Sequence, residues 1–118
     1  MIPIYRAKSN ERKNIYVEGL LIGVDEELNL CTIRTKDDYI GGEVCYLNTL
    51  SINFPNMLDS QGNKIFASLQ EDGKGGDIMQ DDEYFGIAKY KDCQFVVEYE
   101  DCIDNIDNGN FEVIGIQQ

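Results

Sequence analysis

Asp77 to Glu100 reads "DIMQDDEYFGIAKYKDCQFVVEYE". Three short apolar-rich runs, "DIMQ", "YFGIAKY" and "QFVVEYE", are separated by the breaks "DDE" and "KDC". In the last run Phe95, Val97 and Tyr99 alternate with Val96 and Glu98. That is the period of two expected when one strand face is buried and the other is not. Breaks rich in Asp and Lys suit tight turns between antiparallel neighbours. The stretch predicts strand, turn, strand, turn, strand.

The pattern extends in both directions. Downstream, the acidic loop "DCIDNIDNGN" (Asp101–Asn110) leads into "FEVIGI", where Phe111, Val113 and Gly115 share a face. Upstream, "IPIYRAK" and "IYVEGLLIGV" flank the polar cluster "SNERKN" and read as a hairpin with a loop of about four to six residues. "LNLCTIRT" and "YIGGEVCYL" continue the strands, with "KDD" as punctuation and a bend at Gly41-Gly42. The middle is less regular. It holds Pro55, a turn at "DSQGNK" (Asp59–Lys64) and the run Ile65–Gln70, which reads equally well as a helical turn or as extended chain. The expected architecture is mainly β. An N-terminal β-hairpin region, residues 1–52, packs with a C-terminal small Src-homology-3-like barrel, residues 53–118, as one compact unit with at most one or two short helical turns.

The chain has 118 residues, 22 acids against 10 Lys and Arg, and a formal net charge of −12. The excess is uneven. Asp92 to Gln118 contains acids and neither Lys nor Arg, whereas Met1 to Val24 carries Arg6, Lys8, Arg12 and Lys13 against Glu11 and Glu18. Phosphate backbones repel such a chain, so direct DNA or RNA binding is disfavoured. A basic edge of one copy could meet the acidic end of another. No run approaches the roughly 20 apolar residues of a membrane span, and the N-terminus lacks the apolar core of a secretory signal. Cys31, Cys45, Cys93 and Cys102 form no close-spaced pair, which argues for reduced thiols in a cytoplasm rather than a zinc site.

Histidine is absent. A Ser-His-Asp or Cys-His site within the chain is therefore excluded. The glycine-rich "EDGKGGDIM" (Glu71–Met79) fails as a phosphate loop, because Gly75 follows Lys74 where Ser or Thr is needed and a strand follows where a helix is needed. Calcium-loop spacing fails around both Gly73 and Gly109. Asp81, Asp82 and Glu83 are an acidic turn that could in principle hold a cation, but such a turn is ordinarily a solvated hairpin tip. No cofactor is implied. The aromatic residues face the core or line grooves between strands, and an aromatic groove could receive a peptide.

Two segments resemble a known family. "IPIYRAKSNERKNIYVEGLLI" is similar to the opening of YopX-family phage and prophage proteins, in which a short basic strand ending in Arg-Ala leads through a polar turn to a second strand. "LDSQGNKIF" followed by "GGDIM" is similar to that family's Asp-x-x-Gly-Lys-Ile-Tyr turn and its Gly-Asp-Ile strand start. The resemblance places Arg6 and Ala7 on the first motif, Asp59, Gly62, Lys64, Ile65 and Phe66 on the second, and Gly76, Asp77 and Ile78 on the third. It departs at "ASLQEDGKG" (Ala67–Gly75), where the family runs almost directly from one motif to the next. The resemblance implies a mainly β fold and a phage or prophage origin. It implies no reaction, so only structural positions carry over.

Glycine at 76 would let the chain turn into the strand, Asp77 would cap that turn through nearby backbone N–H groups at on the order of 1 kcal/mol, and Ile78 would begin the buried face. Glu71–Gly75 reads as a flexible insertion. The expected function is a non-enzymatic interaction or assembly module in the cytoplasm of a bacterial host. Its partner would be a protein or a second copy, not a membrane. The alternatives are an acidic mimic of nucleic acid that inhibits a host DNA-binding protein, and an enzyme working with carboxylates or a divalent metal.

Overall fold

The computed structural model describes residues 2–35, 41–81, 84–100, 102–106 and 111–118. The "KDD" break, Asp82, Glu83, Asp101 and the Gly109 calcium-loop position lie outside the described residues. Among the described residues eleven strands run in chain order: β1 Ile4–Lys8, β2 Tyr16–Asp25, β3 Leu30–Arg34, β4 Glu43–Tyr46, β5 Ser51–Asn53, β6 Ala67–Ser68, β7 Asp77–Gln80, β8 Phe85–Lys91, β9 Gln94–Glu98, β10 Ile103–Asn105 and β11 Glu112–Ile116. A 3-10 turn spans Leu47–Thr49.

The strands form one mixed sheet in the order β10-β9-β8-β6-β5-β1-β2-β3-β4, with β7 pairing both β8 and β11. This corrects the expected barrel. Closure requires the last strand to pair with the first, and here β10 and β4 end the path without pairing each other. The cause lies at β8. One edge takes β9 along its length, while the other is shared by β7 at Phe85–Ile87 and by β6 at Lys89. β7 then diverges to carry β11, so the sheet branches where a barrel would close. The β6–β8 pairing is parallel and rests on Ser68 opposite Lys89.

The alternating runs became strands as expected, with local differences. The first hairpin loop covers Ser9 to Ile15, longer than four to six residues. It is held by the Ser9 hydroxyl, which accepts from the N–H groups of Glu11 and Arg12 and donates to Glu43. The run Ile65–Gln70 is extended rather than helical, and Ile65 through Ser68 are all buried. A run buried on both faces loses the alternation that would mark it as a strand. Ile103–Asn105, inside the stretch read as an acidic loop, adds β10 to the sheet edge.

Two apolar clusters sit along a body of 43 × 27 × 27 Å. Ala7, Val17, Cys31, Ile33, Cys45 and Leu50 form the first, and Ile65, Ala67, Met79, Ala88, Val97, Ile106 and Phe111 the second. Between them runs a buried polar belt of Arg6, Thr49, Ser51, Asn53, Ser68 and Asp77. Apart from Arg6 Nε, its side-chain groups are hydrogen-bonded, as burial demands. Asn53 donates to the carbonyls of Met57 and Ile65, and the Ser68 hydroxyl donates to the Lys74 carbonyl.

Candidate functional site

Of the residues singled out by the family resemblance, Arg6, Phe66 and Asp77 come together at the belt. The Arg6 guanidinium donates to Asp77 Oδ1 at 2.8 Å and to the Gly75 carbonyl at 2.9 Å. It lies 4.5 Å from the Phe66 ring centroid and 5.7 Å from that of Tyr16. Asp77 Oδ2 accepts the Phe66 N–H at 2.8 Å. The first strand thus meets Phe66 and the Gly75–Asp77 segment at one ion pair. Asp77 therefore does not cap its own turn. It is the buried residue of β7 with Met79, while Ile78 is half-buried, so the inward face is offset by one from the expected one. The reason is that the buried position is held by the carboxylate that neutralises Arg6.

Glu71–Gly75 is not a loose insertion. Lys89 donates to the Glu71 carbonyl, Gly75 N–H donates to Gln117, and Gln117 N–H donates to Gly76. Gly76 is needed for close approach rather than for a positive φ: a side chain there would meet the Ala88 carbonyl at 2.5 Å.

The second motif organises a turn. Asp59 Oδ1 accepts from the N–H groups of Gln61 and Asn63, and Oδ2 accepts from the Asn63 amide and from Val113 N–H on β11. Gly62 takes a φ of +84°, and Lys64 is a surface residue 3.9 Å from Glu18. Ala7 and Ile65 lie in the first and second apolar clusters respectively. Burial pushes the Asp59 carboxyl up, but the donors from Val113, Asn63 and Gln61 outweigh it and hold it below the ordinary Asp range. We expect Asp59→Ala to cost about 1–3 kcal/mol in urea melts at pH 7, since it strands several backbone donors. A lowered folded pKa gives stability that is present above the unfolded value and lost as pH falls through the folded one. The difference between wild type and variant should therefore shrink as melts are taken below pH 4. A constant difference would remove the ionised turn from the account.

None of these groups forms an accessible site. An open hollow lies between the β7–β8 and β9–β10 connections. In the β7–β8 turn, Asp81 N–H donates to the Tyr84 carbonyl and Tyr84 N–H donates to Asp81 Oδ1. In the β9–β10 turn, Tyr99 N–H donates to the Cys102 carbonyl at 2.8 Å. The groove between them has a volume of about 720 Å³ and is lined by Asp81, Tyr84, Phe85, Tyr99, Glu100, Cys102 and Asp104. Tyr84 and Tyr99 meet edge to face with centroids 6.1 Å apart, and the Tyr99 hydroxyl donates to Asp81 Oδ2 at 3.3 Å. Tyr84 and Phe85 are each 60% exposed, a large apolar surface for adjacent residues to leave in water.

The groove suits binding better than reaction. Burial, with Asp81 beside it, pushes the Tyr99 phenol up to about 12, so it stays protonated at neutral pH and offers no base there. The Cys31 and Cys45 thiols lie away in the first cluster, where burial pushes them up to about 11 and about 12. They are inert thiols rather than nucleophiles. Lys89 is bonded to Glu98 at 2.8 Å. Among the described residues no group of three Cys, Asp or Glu is placed to hold a metal ion. Among them, too, no helix is long and apolar enough to cross a membrane. No family model, curated protein or solved structure matches the chain.

The sequence pointed to Asp81 only as part of an acidic turn, to Tyr99 only as a strand residue and to Cys102 only as a thiol, and it did not bring the groove residues together. The available signal was two aromatic residues, Tyr84 and Tyr99, placed beside acids at strand ends rather than inside strands.

Proposed function

We propose that this chain is a non-enzymatic interaction module of phage or prophage origin that engages a basic partner protein through the groove between the β7–β8 and β9–β10 turns. The exposed aromatic wall of Tyr84 and Phe85 carries this reading, because large apolar side chains left together on a surface ordinarily mark a contact site. Charge selects the partner: the chain carries −12 overall, and among the described residues neither Lys nor Arg lines the groove. In support of the YopX resemblance, one residue from each of its three motifs, Arg6, Phe66 and Asp77, meets the others. Self-association through a basic N-terminal edge is less favoured. Arg6 is buried with Asp77, and Arg12 is tied to both oxygens of Glu43.

The test is capture from bacterial lysate by wild type and by Tyr84→Ala/Phe85→Ala, with cross-links mapped by mass spectrometry. We expect a basic protein, cross-linked beside the groove, whose capture falls at least about tenfold in the double variant, as loss of two interface aromatics predicts. Capture unaffected by the double variant would sink the reading. Release of the captured protein by added double-stranded DNA would assign the chain to mimicry of nucleic acid.

A further inference from the structure

We propose that Cys31 and Cys45 are a redox latch: two thiols that the fold sets opposite each other on β3 and β4, and that a low-molecular-weight disulfide oxidises to a cross-strand disulfide.

The strand register carries the proposal. β3 and β4 are antiparallel with Cys31 directly opposite Cys45, and opposed residues share a sheet face. Ladder hydrogen bonds recur at every second pair. One runs from the Leu47 N–H to the Asn29 carbonyl at 3.0 Å, while the Val44 carbonyl turns away from β3 to the Asn10 N–H. Cys31 and Cys45 are therefore a hydrogen-bonded pair, with Cα atoms about 5.5 Å apart. A disulfide spans Cα separations of about 4.4–6.8 Å. The Cβ atoms of such a pair stand about 5 Å apart and a disulfide needs about 4 Å, so closure is possible but strained. In the reduced fold the Cys45 thiol donates to the Glu43 carbonyl at 3.6 Å, a weak bond to give up.

Both thiols are buried and protonated, so attack waits for local opening of β4, which ends the strand path. Cys31 borders a hollow of about 320 Å³ beside the bulge of β2, and Cys45 does not, so Cys31 meets the oxidant first. Its thiolate attacks one sulfur of oxidised glutathione and releases one glutathione thiolate. The Cys45 thiolate then attacks the Cys31 sulfur and releases the second, and the two leaving thiolates take up the two protons. Two protein thiols are oxidised and one glutathione disulfide is reduced. Closure ties β4 to β3, and with it Glu43, which holds Ser9 and Arg12 of the first hairpin loop.

The experiment uses the full chain carrying Cys93→Ser and Cys102→Ser, which removes the exposed thiols and keeps the pair. It is equilibrated without air in oxidised and reduced glutathione, from the dithiol side and from the disulfide side, in native buffer and in concentrated urea. Acid quenching, intact mass and peptide mapping give the ratio of disulfide to dithiol. We expect that ratio to be at least about tenfold higher in native buffer, short of the roughly hundredfold that an unstrained loop of about 15 residues would give. Excess reduced glutathione should reopen the bond. Amide exchange at residues 43–46 should slow several-fold on closure, with the native amide spectrum kept. An equal or lower ratio in native buffer would overturn the latch, because the fold would then not position the thiols. Closure that destroys the native spectrum, unchanged exchange at residues 43–46, a bond that does not reopen, or a reaction that stops at the mixed disulfide with glutathione would overturn it too.

Discussion

Asp77→Ala is expected to destabilise the protein by about 3–5 kcal/mol, because it leaves Arg6 charged, buried and without its counter-ion. That is several times the cap-sized effect that the position in the sequence suggests. Arg6→Met should cost a similar amount, since it strands the Asp77 carboxylate. Burial pushes the Asp77 carboxyl up against the pull of Arg6 and of the Phe66 N–H, and the net lies above the ordinary Asp range. Ionising it inside the fold is thus unfavourable in itself, so the pair is a poor source of net stability. The double variant Arg6→Met/Asp77→Leu should therefore be more stable than either single variant. Its remaining cost, about 1–3 kcal/mol, comes from the Phe66 N–H and Gly75 carbonyl left without partners. Arg6 Nε has no hydrogen-bond partner even in the native arrangement, which limits what the double variant loses. Urea melts of the four proteins close the cycle. A double variant that loses the sum of the two single effects would show that the groups act independently.

Gly75→Ala is expected to abolish cooperative unfolding or to cost more than about 4 kcal/mol, beyond the ordinary range for a point substitution. Two effects coincide there. The residue has a φ of +84°, and a Cβ would lie 1.9 Å from the Thr49 carbonyl oxygen. Backbone displacement is the only relief, and Gly75 is also the acceptor for Arg6 and the donor to Gln117. Gly62 separates the two effects. It shares the φ of +84°, yet a Cβ there would meet nothing within 4 Å. Gly62→Ala should therefore show the conformational part alone, about 1–2 kcal/mol. Similar midpoints for the two variants would mean that the Thr49 contact yields easily.

The strands were legible where one face meets a core and the other meets solvent. Ala7, Val17, Ile33 and Val97 lie in such runs, and their spacing reports burial directly. The belt was illegible for the opposite reason. Ser51, Asn53, Ser68 and Asp77 are polar and buried, so hydropathy assigns them to the wrong side. What buries them is the partner each finds far away in the chain, and spacing does not report such partners. The barrel expectation failed in the same way. Strand count and turn spacing are local, whereas closure depends on whether β10 reaches β4 and on how β8 divides its edge between β6 and β7. Of the groove, Tyr99 and its alternation were visible. Its approach to Tyr84 depends on two turns lying side by side, which neither turn encodes alone.

The Arg6–Asp77 contact spans 71 positions of the chain. During synthesis at about 5–20 residues per second, that gap is on the order of 4–14 s. Throughout that interval the emerging hairpin of β1 and β2 carries an arginine whose burial is not yet compensated. The first cluster therefore cannot lock early. It waits for Gly75 and Asp77, and the bonds that clamp Gly75 and Gly76 wait in turn for Gln117. The belt and its clamp are thus completed late, from segments made many seconds apart.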